Sequence, residues 1–202
     1  LELLVESTNL KDYLKESPVV DFSHPAIKEM IAALFQDSQT EAEKAKIAFE
    51  FVRDKIAHSW DIQSTTITCK ASEVLLFKEG ICYAKSNLLA ALLRSQGIPT
   101  GFCYQRLMLF DTPEKGYALH TLNGVYLQSL DRWIRLDARG NKPGVQAEFS
   151  TSEEILAFPI QENFDEKDYP WIYAEPNPKT IAVLEEHTNT LEMYQFGLPE
   201  DL

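Results

Sequence analysis

Glu79-Gly80-Ile81-Cys82-Tyr83-Ala84-Lys85-Ser86 runs on into Asn87-Leu88-Leu89-Ala90-Ala91-Leu92-Leu93-Arg94-Ser95-Gln96 and stops at Gly97-Ile98-Pro99. Leu88, Leu89, Leu92 and Leu93 recur at helical spacing and give a broad apolar face, and a glycine followed by proline is a helix stop signal. The stretch therefore predicts a buried helix that Gly80 turns into and that begins at Cys82. The thiolate is the reactive form of cysteine, and the unpaired N–H groups and positive dipole end of a helix N-terminus stabilise it. A cysteine with no partners reads as a small buried hydrophobe, so the sequence must supply more.

Two polar residues downstream supply it: His120 in Ala118-Leu119-His120-Thr121, and Asp137 in Trp133-Ile134-Arg135-Leu136-Asp137. Thr121–Leu127 and Trp133–Leu136 read as strands joined through Gln128–Arg132. Positions 120 and 137 are symmetric about the middle of Gln128-Ser129. A regular antiparallel hairpin centred there would set the two side chains about 5 Å apart on one face. A bulge at Gly124 would spoil that register, and a surface His–Asp pair is the other reading of the two residues. With Cys82 the three residues form a Cys…His…Asp order, a set recognised by geometry and role.

The Glu79–Ala84 segment, the Leu88–Pro99 helix with its Gly-Ile-Pro stop, the His120 strand and Trp133–Asp137 together resemble the transglutaminase-like superfamily. The match runs from about Ala42 to Gly140. It implies a papain-related α+β fold, in which a helical N-terminal part carrying the thiol packs on an antiparallel sheet carrying His and Asp. The superfamily includes transglutaminases, peptide N-glycanases, bacterial proteases and members without activity. The resemblance also implies an oxyanion donor upstream of the cysteine. Ser59-Trp60-Asp61 resembles the segment that provides a tryptophan indole N–H in transglutaminases, which makes Trp60 the candidate, with the backbone N–H of Cys82 as second donor. Trp60 also reads as an aromatic core plug, and His58 competes for the role because many bacterial relatives place a tyrosine near this point.

With 202 residues the chain can hold one domain and a small appendage, and 45% hydrophobic with 25% charged residues is ordinary for a globular protein. Nineteen basic against thirty-one acidic side chains give a net charge of −12, a field that repels phosphate backbones and anionic lipid. Nucleic acid and membrane are not expected partners. Cys69, Cys82 and Cys103 are an odd number without C-x-x-C spacing, which argues against a zinc site and a disulfide framework and fits a reducing, cytoplasmic compartment. Cys69 and Cys103 read as structural. Leu1–Val5 is too short for a signal peptide, and no apolar run reaches membrane-spanning length. There is no phosphate loop, calcium loop or repeat, so no cofactor or metal is expected.

Residues 1–149 read as the catalytic domain with its N-terminal helices, and 150–202 as an extension packed on or near it. Ser23-His24-Pro25 predicts a helix to about Phe35 with Ser23 as cap, and Thr40–Glu43 is a capping box before a second helix. Ala71–Phe77 predicts a short third. Phe102–Phe110, Tyr117–Leu127 and Trp133–Leu136 predict strands, the first two joined by Asp111–Gly116, a loop that either rims the cleft or is a plain hairpin. Ser150–Glu154 predicts a capped turn, Glu162–Pro178 irregular chain pinned by aromatics, and Thr180–Met193 a last helix in which His187 is solvated. The expected function is acyl transfer on an amide bond of a peptide, protein or small amide. Water as acceptor makes a protease or amidase and an amine makes a transglutaminase; a silent peptide-binding module is the third reading.

Overall fold

A computed structural model describes residues 1–202. In chain order the elements are β1 (Leu4–Val5), α1 (Pro25–Leu34), α2 (Glu41–Lys55), β2 (Ala57–His58), α3 (Ala71–Phe77), β3 (Glu79–Gly80) and α4 (Cys82–Arg94). They continue with β4 (Thr100–Met108), β5 (Tyr117–Leu127), β6 (Arg132–Leu136), β7 (Lys167–Asp168), β8 (Trp171–Ile172), α5 (Pro178–Glu186) and α6 (Thr190–Phe196). Helices precede an antiparallel sheet of order β6-β5-β4-β7, which is an α+β fold. No helix is long and apolar enough to cross a membrane.

The central element is α4, every residue of which is buried. Leu88, Leu89, Leu92 and Leu93 belong to a core cluster of 37 residues shared with α2, β5 and the C-terminal helices. The polar residues of α4 are buried with donor groups bonded to backbone carbonyls, although Asn87 Oδ1 has no partner. Lys85 donates to Ile56 O, Ser86 to Thr121 O, Asn87 to Cys69 O, and Arg94 to Thr100, Lys15 and Ala174 carbonyls. Gly97, at φ +73°, ends the helix as the stop signal predicts.

The Thr40–Glu43 capping box forms as predicted. The first helix is capped differently: His24 Nδ1 accepts from Ala26 N, while Ser23 bonds the Glu16 carboxylate. The tight turn before Cys82 falls at Lys78 (φ +59°), whereas Gly80 lies in β3 where chains approach closely. A Cβ there would stand 2.9 Å from Thr68 Oγ1 and 3.1 Å from Ala84 Cβ.

The β5–β6 ladder pairs Asn123 with Leu136 and Val125 with Ile134, without a bulge at Gly124. This hairpin is centred between Ser129 and Leu130, one position beyond the expected centre, because Gln128–Leu130 forms a 3-10 turn closed by Asp131 in the left-handed region. The pairing slips by two residues. A slip of two preserves the face, so His120 and Asp137 stand as diagonal neighbours on one side of the sheet.

β4 stops at Met108, since Phe110 and Asp111 both adopt positive φ (57° and 56°). The expected last helix is two helices, broken at His187–Asn189, because Asn189 Oδ1 caps a new start at Leu191 N and Glu192 N. His187 is half-buried, its Nδ1 bonded to Val183 O. Ser150–Glu154 forms no helical turn; Ser150 Oγ accepts from Ser152 N and Glu153 N. In the irregular stretch, Tyr169 and Tyr173 pack on the core, while β7 extends the sheet edge and β8 pairs in parallel with β1.

Candidate active site

Cys82 is the first residue of α4, and Ile81 before it brings no side-chain acceptor, so no cap covers the N–H groups of the first turn. Opposite stands β5, which carries His120. The imidazole Nε2 is 2.8 Å from Asp137 Oδ2, just past the end of β6. The Cys82 sulfur lies close enough to the ring to influence its protonation. All three side chains are buried. Burial pulls the His120 pKa down, but Asp137 and Cys82 together outweigh it and raise it well above 6.5.

Asp137 receives two backbone bonds besides the imidazole: Arg139 N donates to Oδ1 at 3.2 Å and Ala157 N to Oδ2 at 3.1 Å. Burial pushes its carboxyl upward; His120 and these N–H groups prevail and hold it below the usual value. The imidazole also meets the edge of Phe158, ring centres 5.1 Å apart. The carboxylate fixes the orientation of the ring, with Nε2–H aimed at Oδ2.

β2 pairs in parallel with β3, placing His58 beside Gly80 and leading the chain on to Trp60. Both line a cavity of about 430 Å³ that opens on Cys82 and His120. Trp60 stacks on Tyr194 (ring centres 4.7 Å, 14° between planes) and lies 5.2 Å from Phe110. His58 is buried, its Nδ1 has no partner, and burial followed by the nearby Arg139 holds the ring neutral. Of the Asp111–Gly116 loop only Asp111 reaches the cavity, together with Phe110 before it.

Several residues in or beside the cavity lie outside what the sequence reading singled out. Asp61 receives both Arg139 terminal nitrogens, at 2.5 and 2.8 Å, and Lys142 Nζ at 2.7 Å, tying the Trp60 loop to the chain after Asp137. Arg139 follows Asp137 by two residues, so opposite charges flanking the candidate site were the available signal. Tyr194, from the C-terminal helix, gave no signal. Cys69 and Cys103 stand apart from the cavity, and burial pushes each thiol up to about 12. No group of three or more His, Cys, Asp or Glu side chains is placed to hold a metal ion.

Residues 28–138, more than half of the chain, match the Transglutaminase-like superfamily. The chain belongs to this superfamily. A candidate cysteine protease from Cytophaga hutchinsonii is similar in fold, with a TM-score of 0.53 and 15% identity over 66% of this chain and 43% of its own. A candidate protease from Parabacteroides distasonis matches with a TM-score of 0.43 and 18% identity over 75% of this chain and 30% of its own. The chain thus spans less than half the length of either structure. No curated protein matches it. Within the superfamily match lie Trp60, Cys82, His120 and Asp137, whereas Arg139 and Tyr194 lie beyond it.

Proposed function

We propose that this protein is a thiol-dependent acyl-transfer enzyme that hydrolyses amide bonds. The observation that carries the proposal is the buried His120–Asp137 pair set against Cys82 at an uncapped helix N-terminus. In the resting pair the thiol proton already resides on the His120 ring, and the Cys82 sulfur attacks the amide carbonyl carbon as the C=O electron pair moves to oxygen. The Cys82 N–H and a donor from β2 or its loop receive that oxyanion. Trp60 indole N–H is one such donor; the neutral His58 ring, with its unpartnered Nδ1, is the other. His120 then protonates the departing amine as the C–N bond breaks, leaving a thioester. Water, deprotonated by the same ring, attacks the thioester, releases the carboxylic acid and restores the resting pair. Asp137 holds the tautomer and offsets the imidazolium charge throughout.

The substrate is a peptide, protein or small amide, with no metal or cofactor required. Hydrolysis is favoured because water is the default acceptor. The test is mass spectrometry of a glutamine-containing peptide library incubated with the protein and a primary amine, wild type beside Cys82→Ala. Glutamate formation or backbone cleavage lost in the variant is the expected result. Predominant isopeptide product would make it a transferase, and unchanged peptides in every arm would favour a silent binding module.

A further inference from the structure

The cavity wall facing Cys82 comes from a part of the chain outside the superfamily match. Tyr194, on α6, stacks on Trp60, presents its edge to His58 (5.9 Å, 90°) and lies 6.1 Å from Phe110. Burial, with the neighbouring Cys82, keeps its hydroxyl protonated.

This wall is pinned at both ends. Thr190 N donates to Thr65 O at 3.0 Å and its hydroxyl bonds Thr66 O, fixing the start of α6 to the Trp60 loop. Beyond α6, Leu119 N donates to Pro199 O at 2.7 Å, fixing the tail to the residue before His120. Asp201 meets Tyr169 Oη at 3.1 Å and Arg106 Nε at 3.2 Å. A segment bonded to both sides of the cleft is a fixed surface, suited to selecting what enters.

The charges around that surface are already committed. Arg139 and Lys142 both bind Asp61, and Glu166 accepts from Met108 N at 3.0 Å and Gln161 N at 2.8 Å. Asp111 stands exposed at the rim, where water screens it. Leu109, Phe158, Pro159 and Leu198 add apolar surface beside the aromatic group, with His58 and Gln161 the uncharged polar side chains among them. A charged side chain entering would shed its hydration and find no free partner, whereas an apolar one gains by leaving water.

Resting on the acyl-transfer reading above, we propose that Tyr194 is a specificity-determining residue. With Trp60 and Phe110 it selects amide substrates that carry an uncharged apolar or aromatic side chain next to the scissile carbonyl.

The experiment uses benzyloxycarbonyl-aminoacyl chloromethyl ketones of Phe, Leu, Lys and Glu. The Cys82 thiolate displaces chloride from each to form a thioether, and intact-mass kinetics give the rate. Each rate is divided by the iodoacetamide rate of the same protein at Cys82, which removes differences in thiol reactivity. In wild type the Phe and Leu reagents should exceed Lys and Glu by about tenfold or more. Tyr194→Ala should collapse that ratio toward one, and Tyr194→Phe should restore it, since the aromatic surface does the selecting. Equal rates for the four reagents in wild type, or a ratio unchanged by Tyr194→Ala, would overturn the proposal whether or not other variants fold. Iodoacetamide failing to favour Cys82 over Cys69 and Cys103 would instead bring down the acyl-transfer reading beneath it.

Discussion

Asp137 has no exposed surface to speak of, yet it is held as an anion by three donors, and its partner His120 is held as a cation. The two shifts act in opposite pH windows. The raised His120 pKa adds stability that is fully present below about pH 6.5 and is lost as pH rises through about 10. The lowered Asp137 pKa adds stability present above about pH 3.9 and lost as pH falls through its folded value. Lys85, pushed down to about 7 chiefly by burial, contributes the opposite alkaline slope, because its unfolded form keeps the proton longer. Comparison with Asp137→Ala reports chiefly on the pair: Lys85 is present in both proteins, and Asp137 is only one of several charges that act on it after burial. The variant should be less stable at pH 7 by roughly 3 kcal/mol, and its Tm should fall less than that of wild type between pH 7 and 10. Parallel Tm curves across that range would show that the pair is not charged in the folded protein.

At the scale of elements, the start of α4 is positioned by close packing at Gly80, whereas the α2 capping box acts far from the cavity. Gly80→Ala forces its Cβ against Thr68 Oγ1, itself bonded to Glu79 O, and against Ala84 Cβ. The expected cost is about 1–3 kcal/mol together with slower alkylation of Cys82, because the helix N-terminus must shift. Thr40→Ala removes one cap at about 1 kcal/mol and should leave the alkylation rate within twofold of wild type. Urea denaturation and iodoacetamide kinetics on both variants provide the comparison. Equal alkylation in Gly80→Ala and wild type would mean that β3 does not set the position of Cys82.

Over the whole molecule, the elements legible in the sequence are those whose signals are local. The Leu88–Leu93 spacing, the Thr40–Glu43 box and the Gly97 stop all act within a few residues, and each element forms where it was expected. His120 and Asp137 were also readable as neighbours, because a two-residue error in hairpin register leaves the face unchanged. What escaped depends on distant chain. Asp61 and Arg139 are 78 residues apart, and Tyr194 reaches Trp60 only because Asn189 breaks the last helix and restarts it over the cavity. The cap at His24 was missed because imidazole Nδ1 replaced the commoner serine oxygen. The absence of any cluster of three or more metal-ligating side chains leads to a further expectation. Amide turnover under reducing conditions should be unchanged by EDTA, and activity that disappears with chelator and returns with zinc or calcium would contradict it.

The central claim is that His120 activates the Cys82 thiol. It is tested most directly by iodoacetamide labelling at pH 6 with peptide mapping, in wild type and His120→Ala. Cys69 and Cys103 serve as internal controls, since burial keeps both protonated. The account predicts that Cys82 labels faster than either control in wild type, and that His120→Ala slows Cys82 about tenfold or more while leaving the other two unchanged. Equal rates for Cys82 in the two proteins would contradict it.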